Sequence, residues 1–147
     1  MQEQQASNGG KLGARTACYP LVPYLWGEGC CRREFQLLYG GRYNIRQIGI
    51  KDLATHPEDA DLLVISGLVT DEMVAEIKNC YQRMHSHKWV MLLGTTAISG
   101  GVFHGDGVVE NWDDIFSVDI LLPGCPPAPE LIIQSLLQLQ HSICVGQ

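Results

Sequence analysis

Cys30 and Cys31 stand side by side behind Gly27 and Gly29, and Cys125 stands within Pro123-Gly124-Cys125-Pro126-Pro127. Thiolates in such settings suit iron–sulfur clusters, which need ligands on stiff, dry loops so that burial and backbone donors set the potential. The prolines restrict the second loop, while Gly124 lets main chain approach an inorganic group closely. A helix starting at the tandem pair would also turn its first N–H groups towards an anionic centre. A disulfide between neighbouring cysteines is strained, so a bridge between Cys30 and Cys31 is disfavoured. Competing readings of the three cysteines are apolar buried thiols and a zinc site.

Short apolar runs alternating with amphipathic segments from Tyr43 onward predict βα units around a parallel sheet. Strands are expected at Asn44–Ile50, Asp61–Ser66, Lys88–Leu93 and Val118–Leu122. Leu62-Leu63-Val64-Ile65 and Trp89-Val90-Met91-Leu92-Leu93 read as buried on both faces. A first helix should start at or just after Cys31 and carry Glu34, Phe35, Leu37 and Leu38 up to Gly40-Gly41. Met73, Ile77, Cys80, Tyr81 and Met84 follow Thr70 at helical spacing, so Cys80 packs. The last helix begins at Pro129-Glu130 and closes one face of the sheet, with Cys144 as a structural residue in its final turn. In an open parallel sheet ligands collect outside the carboxyl ends of the strands, so Gly94-Thr95-Thr96 and the Cys125 loop should lie near one another.

The chain of 147 residues, 46% of them hydrophobic, suffices for one domain with a real core. Its net charge of −6 provides no basic field for a phosphate backbone, which argues against nucleic acid. No apolar run approaches the roughly 20 residues needed to span a bilayer, and the N-terminus lacks an apolar signal core. Any membrane association is therefore expected through partners. Residues 1–16 are rich in Gln, Gly, Ser and Asn and read as a flexible tail before a domain over 17–147. The six cysteines, in a chain without an export signal, point to metal, catalysis or packing rather than disulfides.

Tyr19-Pro20-Leu21 through Gly29-Cys30-Cys31-Arg32-Arg33-Glu34-Phe35 resembles the Trp-Pro-Leu, Cys-Cys-x-x-Glu signature of the complex I subunit that holds the terminal [4Fe-4S] cluster. Asp61 through Gly67 with Val69-Thr70 and Met73, Gly100 through His104, and Val118-Asp119-Ile120 through Glu130 continue the match in order. The resemblance runs from Cys18 to Gln140 and extends to the related [NiFe]-hydrogenase small subunit. In that branch the first motif is Cys-x-x-Cys, with Glu28 in the first cysteine's place, so the tandem pair leans towards complex I.

The resemblance implies a flavodoxin-like, three-layer α/β fold with a four-stranded parallel sheet. It makes Cys30, Cys31 and Cys125 cluster ligands and Glu34 the acidic residue beside the cluster. It further implies an electron-transfer subunit of a membrane-bound hetero-oligomer, peripheral on the cytoplasmic face. The implied partners are a hydrogenase-like large subunit, a ferredoxin-type iron–sulfur subunit and membrane-arm subunits, with quinone or a [NiFe] centre as acceptor. The family carries Gly-x-Cys after the third strand, where this chain has Gly94-Thr95-Thr96, so Thr96 takes the fourth ligand's place. A hydroxyl is a poor substitute for a thiolate. That leaves a [4Fe-4S] cluster with a replacement ligand, a [3Fe-4S] cluster, or none, with Cys18, His104, Glu28 and Asp106 as replacement candidates.

Two further functions compete with the relay: a structural subunit that has lost its cluster, favoured by Thr96, and a flavin binder. The second lacks the run of hydroxyl residues that cradles a phosphate. Gly100, Gly101, Gly105 and Gly107 are not followed by Gly-Lys-Ser/Thr, which argues against a nucleotide loop. His85 and His87 read as a polar turn. Arg32 and Arg33 are expected either to face the cluster or an acidic partner, or to be solvated.

Overall fold

The computed structural model describes residues 19–146; the expected tail and Cys18 lie outside them. Strands β1 (Pro23–Gly27), β2 (Leu62–Ser66), β3 (Trp89–Leu93) and β4 (Ile120–Leu122) form a four-stranded sheet in that order. All pairs are parallel, in a register that sets Gly27 beside Ser66 and Ser66 beside Leu93. The helices are α1 (Cys30–Leu37), α2 (Val74–Arg83), α3 (Thr95–Ser99) and α4 (Pro129–Val145).

Side chains alternate across a strand, and this sheet uses both faces. Leu62 and Val64 join Met91, Leu93, Phe35, Leu38, Ile132 and Leu136 in one core. Leu63 and Ile65 join Val90, Leu92, Ile77, Ala97 and Trp112 in the other. Every residue of β2 is buried, as its unbroken apolar run requires. Layers therefore lie on both sides of one sheet, and the expected three-layer α/β architecture with a four-stranded parallel sheet is borne out.

Membership of the sheet differs from expectation at one edge. The segment expected as strand Asn44–Ile50 is a 3₁₀ turn, Ile45–Ile48, flanked by left-handed backbone at Asn44 (φ 36°) and Gly49 (φ 88°), which extended pairing cannot accommodate. It retains one parallel bridge, Leu21 to Ile50. The missing strand is β1, hidden in sequence by Pro20 and Pro23. Proline is tolerated as the first residue of a strand, where Pro23 stands. With Ile50 outside β1, the order follows the doubly wound pattern, whose direction reverses between β1 and β2. Arg32 closes the rest of that outer edge: its guanidinium donates to the Leu25 and Gly27 carbonyls at 3.0 Å each. Half-buried Arg32 thus engages strand-edge acceptors of its own chain.

At the amino end of the sheet, buried Asp61 accepts a 2.7 Å bond from the Val22 N–H. Burial raises its pKa, outweighing the opposing hydrogen bonds and His85. Between the two pKa values the folded chain holds a proton that the unfolded chain has released, so the contribution of Asp61 to stability is fully present below the ordinary aspartate range. It falls as pH rises through the raised pKa. Asp61→Asn should keep the acceptor and flatten this slope, whereas Asp61→Ala, leaving Val22 N–H unpartnered, should cost about 1–3 kcal/mol. Urea midpoints measured from acid to neutral pH test both.

Candidate functional site

The carboxyl ends of the strands share one rim because the strands are parallel and in step. Gly27 leaves β1 with φ 96°, and a Cβ there would run into the backbone carbonyl of Ser66. The same close approach recurs one residue on, where a Cβ at Gly67 would strike the Glu28 carbonyl. These two glycines let the chains separate at the switch point and deliver Gly29-Cys30-Cys31 to the rim. The first helix begins at Cys30, as expected within a residue, with Cys30 exposed and Cys31 buried.

Two other loops meet this turn. A Cβ at Gly94 would collide with the Cys31 sulfur and would lie 3.4 Å from the Gly124 carbonyl oxygen. Gly94 therefore leaves a cradle between the tandem pair and the Cys125 loop. Beyond the β3–β4 ladder, Gly94 N–H donates to Leu122 O at 2.7 Å and Thr95 N–H to Gly124 O at 2.9 Å. Gly124 N–H in turn donates to Thr95 Oγ1 at 3.0 Å. Cys125 is exposed, its peptide to Pro126 is cis, and Gly124 sits at φ 146°.

Burial pushes the Cys31 thiol up to about 12, with further upward pushes from Cys30, which also hydrogen-bonds to it, and from Cys125 and Glu34. The sequence-selected Cys30, Cys125 and Glu34 thus all lie within electrostatic reach of Cys31. Among the described residues, however, no three His, Cys, Asp or Glu side chains stand in an arrangement that would hold a metal ion. Soft sulfur donors, a glycine cradle at Gly94 and glycine-rich turns nevertheless suit an iron–sulfur group.

Thr96 is half-buried, and its Oγ1 would lie 3.4 Å from a Cβ built at Gly101. Glu28, His104 and Asp106 are exposed; Glu28 lines an open groove with Trp26, Leu68 and Met73. Cys80 is buried and free, as expected of a packing residue. Cys144 is disulfide-bonded, unlike the general expectation for these cysteines.

Two arrangements escape sequence reasoning. Thr95 reads in sequence only as a spacer before Thr96, although a hydroxyl one glycine after a buried strand is a usable signal. Tyr43 O–H donates to Glu130 Oε1 at 2.9 Å, tying the segment after α1 to the start of α4. No local pattern announces that pair across 87 residues.

Comparison with known proteins agrees with this geometry. The profile of the family described as NADH ubiquinone oxidoreductase, 20 Kd subunit, matches residues 29–139. An NADH-quinone oxidoreductase subunit of Rhodococcus opacus is 37% identical over 123 residues, covering 84% of this chain and 67% of that protein. Its namesake in Saccharopolyspora erythraea is 37% identical over 121 residues, covering 82% of this chain and 55% of that protein. Among solved structures, a chain of a membrane-bound sulfane sulfur reductase, an archaeal respiratory membrane complex, superposes with TM-score 0.76 at 26% identity. The match covers 91% of this chain and 75% of that one. A chain of an NAD+-reducing [NiFe]-hydrogenase shares the fold with TM-score 0.56 at 19% identity, covering 88% of this chain and 93% of that one. The cysteine turn, the strand-end loops that meet it and the profile spanning both make this chain a member of the NADH ubiquinone oxidoreductase 20 kDa subunit family.

Proposed function

We propose that Cys30, Cys31 and Cys125 hold an iron–sulfur cluster at the sheet rim and that the chain relays electrons through it inside a larger oxidoreductase. The observation that carries this reading is the convergence of three loops: the Cys31 sulfur against Gly94, and Gly94 against the Gly124 that precedes Cys125. As a member of its family, the chain is an electron-transfer subunit of such a complex, related to NADH-quinone oxidoreductases and [NiFe] hydrogenases.

The group itself supplies one-electron storage on iron and sulfide. The chain's residues do the rest. Gly94 keeps a side chain out of the space between the loops, Gly124 lets its own turn close on Pro127, and Phe35 and Leu93 belong to the core on one face of the sheet. The Glu34 charge bears on both Cys31 and Tyr43, which puts an acidic side chain beside the proposed cluster.

A [4Fe-4S] cluster with a non-thiolate fourth ligand, or a [3Fe-4S] centre, follows from three rim cysteines with Thr96 at the remaining corner. The neighbours in this proposal are a hydrogenase-like large subunit over the rim, a ferredoxin-type subunit as donor and membrane-arm subunits. No helix among the described residues is long and apolar enough to cross a membrane; in this proposal the chain is held peripherally, on the cytoplasmic face, through those neighbours.

Cys31→Ser and Cys125→Ser test the assignment in the assembled complex. Each should remove most of the visible absorption that bleaches on reduction at this site, with the complex still assembling. Unchanged absorption in both variants would rule the ligand set out.

A further inference from the structure

We infer that Thr95 is a positioning residue for the cluster site: its hydroxyl and its N–H together hold Gly124, and so set where Cys125 stands relative to Cys31. This rests on the proposed function, since the role matters only if the two cysteines serve one group.

Three facts carry it. The clamp is reciprocal, with Thr95 N–H donating to Gly124 O at 2.9 Å and Gly124 N–H donating to Thr95 Oγ1 at 3.0 Å. The backbone ladder has already ended, because β4 stops at Leu122, so without the hydroxyl Gly124 N–H would lose the partner it has. Gly124 is also the wrong place for slack. It sits at φ 146°, and a Cβ there would come within 2.5 Å of the Pro127 backbone, so the turn into Cys125 is already closely packed on its other side.

On the opposite flank, Gly94 abuts the Cys31 sulfur. Residues 94 and 95 are therefore a two-residue gauge, one contacting the first thiol and the next holding the loop of the second. The Thr96 hydroxyl instead lies beside Gly101, where a Cβ would come within 3.4 Å of it. An adjacent hydroxyl pair thus divides into a clamp at Thr95 and a corner residue at Thr96.

Removing the acceptor of a partly buried bond costs enough to change retention of a bound group about tenfold. Thr95→Val keeps the branched shape and deletes the hydroxyl, whereas Thr95→Ser keeps the hydroxyl. In the full chain loaded anaerobically with iron and sulfide, Thr95→Val should lose iron to a chelator about tenfold faster than wild type, and Thr95→Ser should match wild type. Hydrogen exchange should show Gly124 N–H losing protection in Thr95→Val alone, with the thermal midpoint lowered by only about 2–4 °C, so that the chain stays fully folded under the assay conditions. Equal iron loss in wild type and Thr95→Val would overturn the inference while leaving the ligand assignment standing. So would a midpoint drop large enough to account for the iron loss, which would make Thr95 merely structural. A wild-type chain that takes up no iron would overturn the ligand assignment and this inference with it.

Discussion

Gly27→Ala should prevent the chain from folding, while Gly29→Ala, only two residues away, should leave it folded. Both glycines have backbone that side chains rarely adopt, at φ 96° and φ 106°. That shared strain costs about 1–3 kcal/mol in either variant. The difference lies in what a methyl would meet. At Gly29 nothing stands within 4 Å, whereas at Gly27 the Ser66 carbonyl oxygen occupies the space. Ser66 is held in the centre of the sheet between Gly27 and Leu93, so its carbonyl cannot swing aside without breaking the ladder at the switch point. A clash with fixed backbone adds to the strain, and a total beyond about 4–5 kcal/mol consumes much of a small domain's stability. Soluble yield and thermal unfolding of the two variants check this. Comparable behaviour would mean that β1 and β2 part less tightly above the cysteine turn than this geometry requires.

Thr96→Cys should bind the cluster more tightly and lower its reduction potential. With three rim cysteines, one iron of a four-iron cluster lacks a thiolate from the described residues, and the motif resemblance puts Thr96 at that corner. A thiolate adds anionic charge and donates more strongly than a hydroxyl or water, so it favours the oxidised state. Even outer-shell changes move metal retention about 10–100-fold, so supplying a ligand should exceed about tenfold. The substitution replaces a small half-buried side chain in the five-residue α3, which the fold should tolerate. Iron release to a chelator and a redox titration give the two readouts. No change in either would place Thr96 away from the cluster.

What the sequence disclosed follows the range of the interactions involved. β2 and β3 were legible because strands buried on both faces are continuous apolar runs, as Leu62–Ser66 and Trp89–Leu93 are. The start of α1 at Cys30 and of α4 at Pro129 followed from local backbone preferences. β1 was not legible, because Pro23 argues against a strand until it is known to occupy an edge strand's first position. The Asn44–Ile50 segment was read as one of the short apolar runs of a βα pattern, but left-handed Asn44 and Gly49 reduce its pairing to a single bridge. In the site, cysteines betray themselves by type and by their glycine and proline neighbours. Gly94 and Thr95 do not, because their roles exist only once β3 and β4 lie side by side and bring residue 95 to residue 124. Arg32 likewise shows its role only against the vacant edge of β1.

The central claim is that this rim carries an iron–sulfur cluster, and the most direct measurement is iron and acid-labile sulfide, with electron paramagnetic resonance, on the anaerobically purified complex. Both elements are expected at this subunit, with a signal in the oxidised state for a [3Fe-4S] centre or in the reduced state for a [4Fe-4S] centre. That signal should vanish in Cys31→Ser and Cys125→Ser. Absence of iron at this site, with none gained on reconstitution of the Thr96→Cys variant, would contradict it and leave a chain that keeps the fold to hold its complex together.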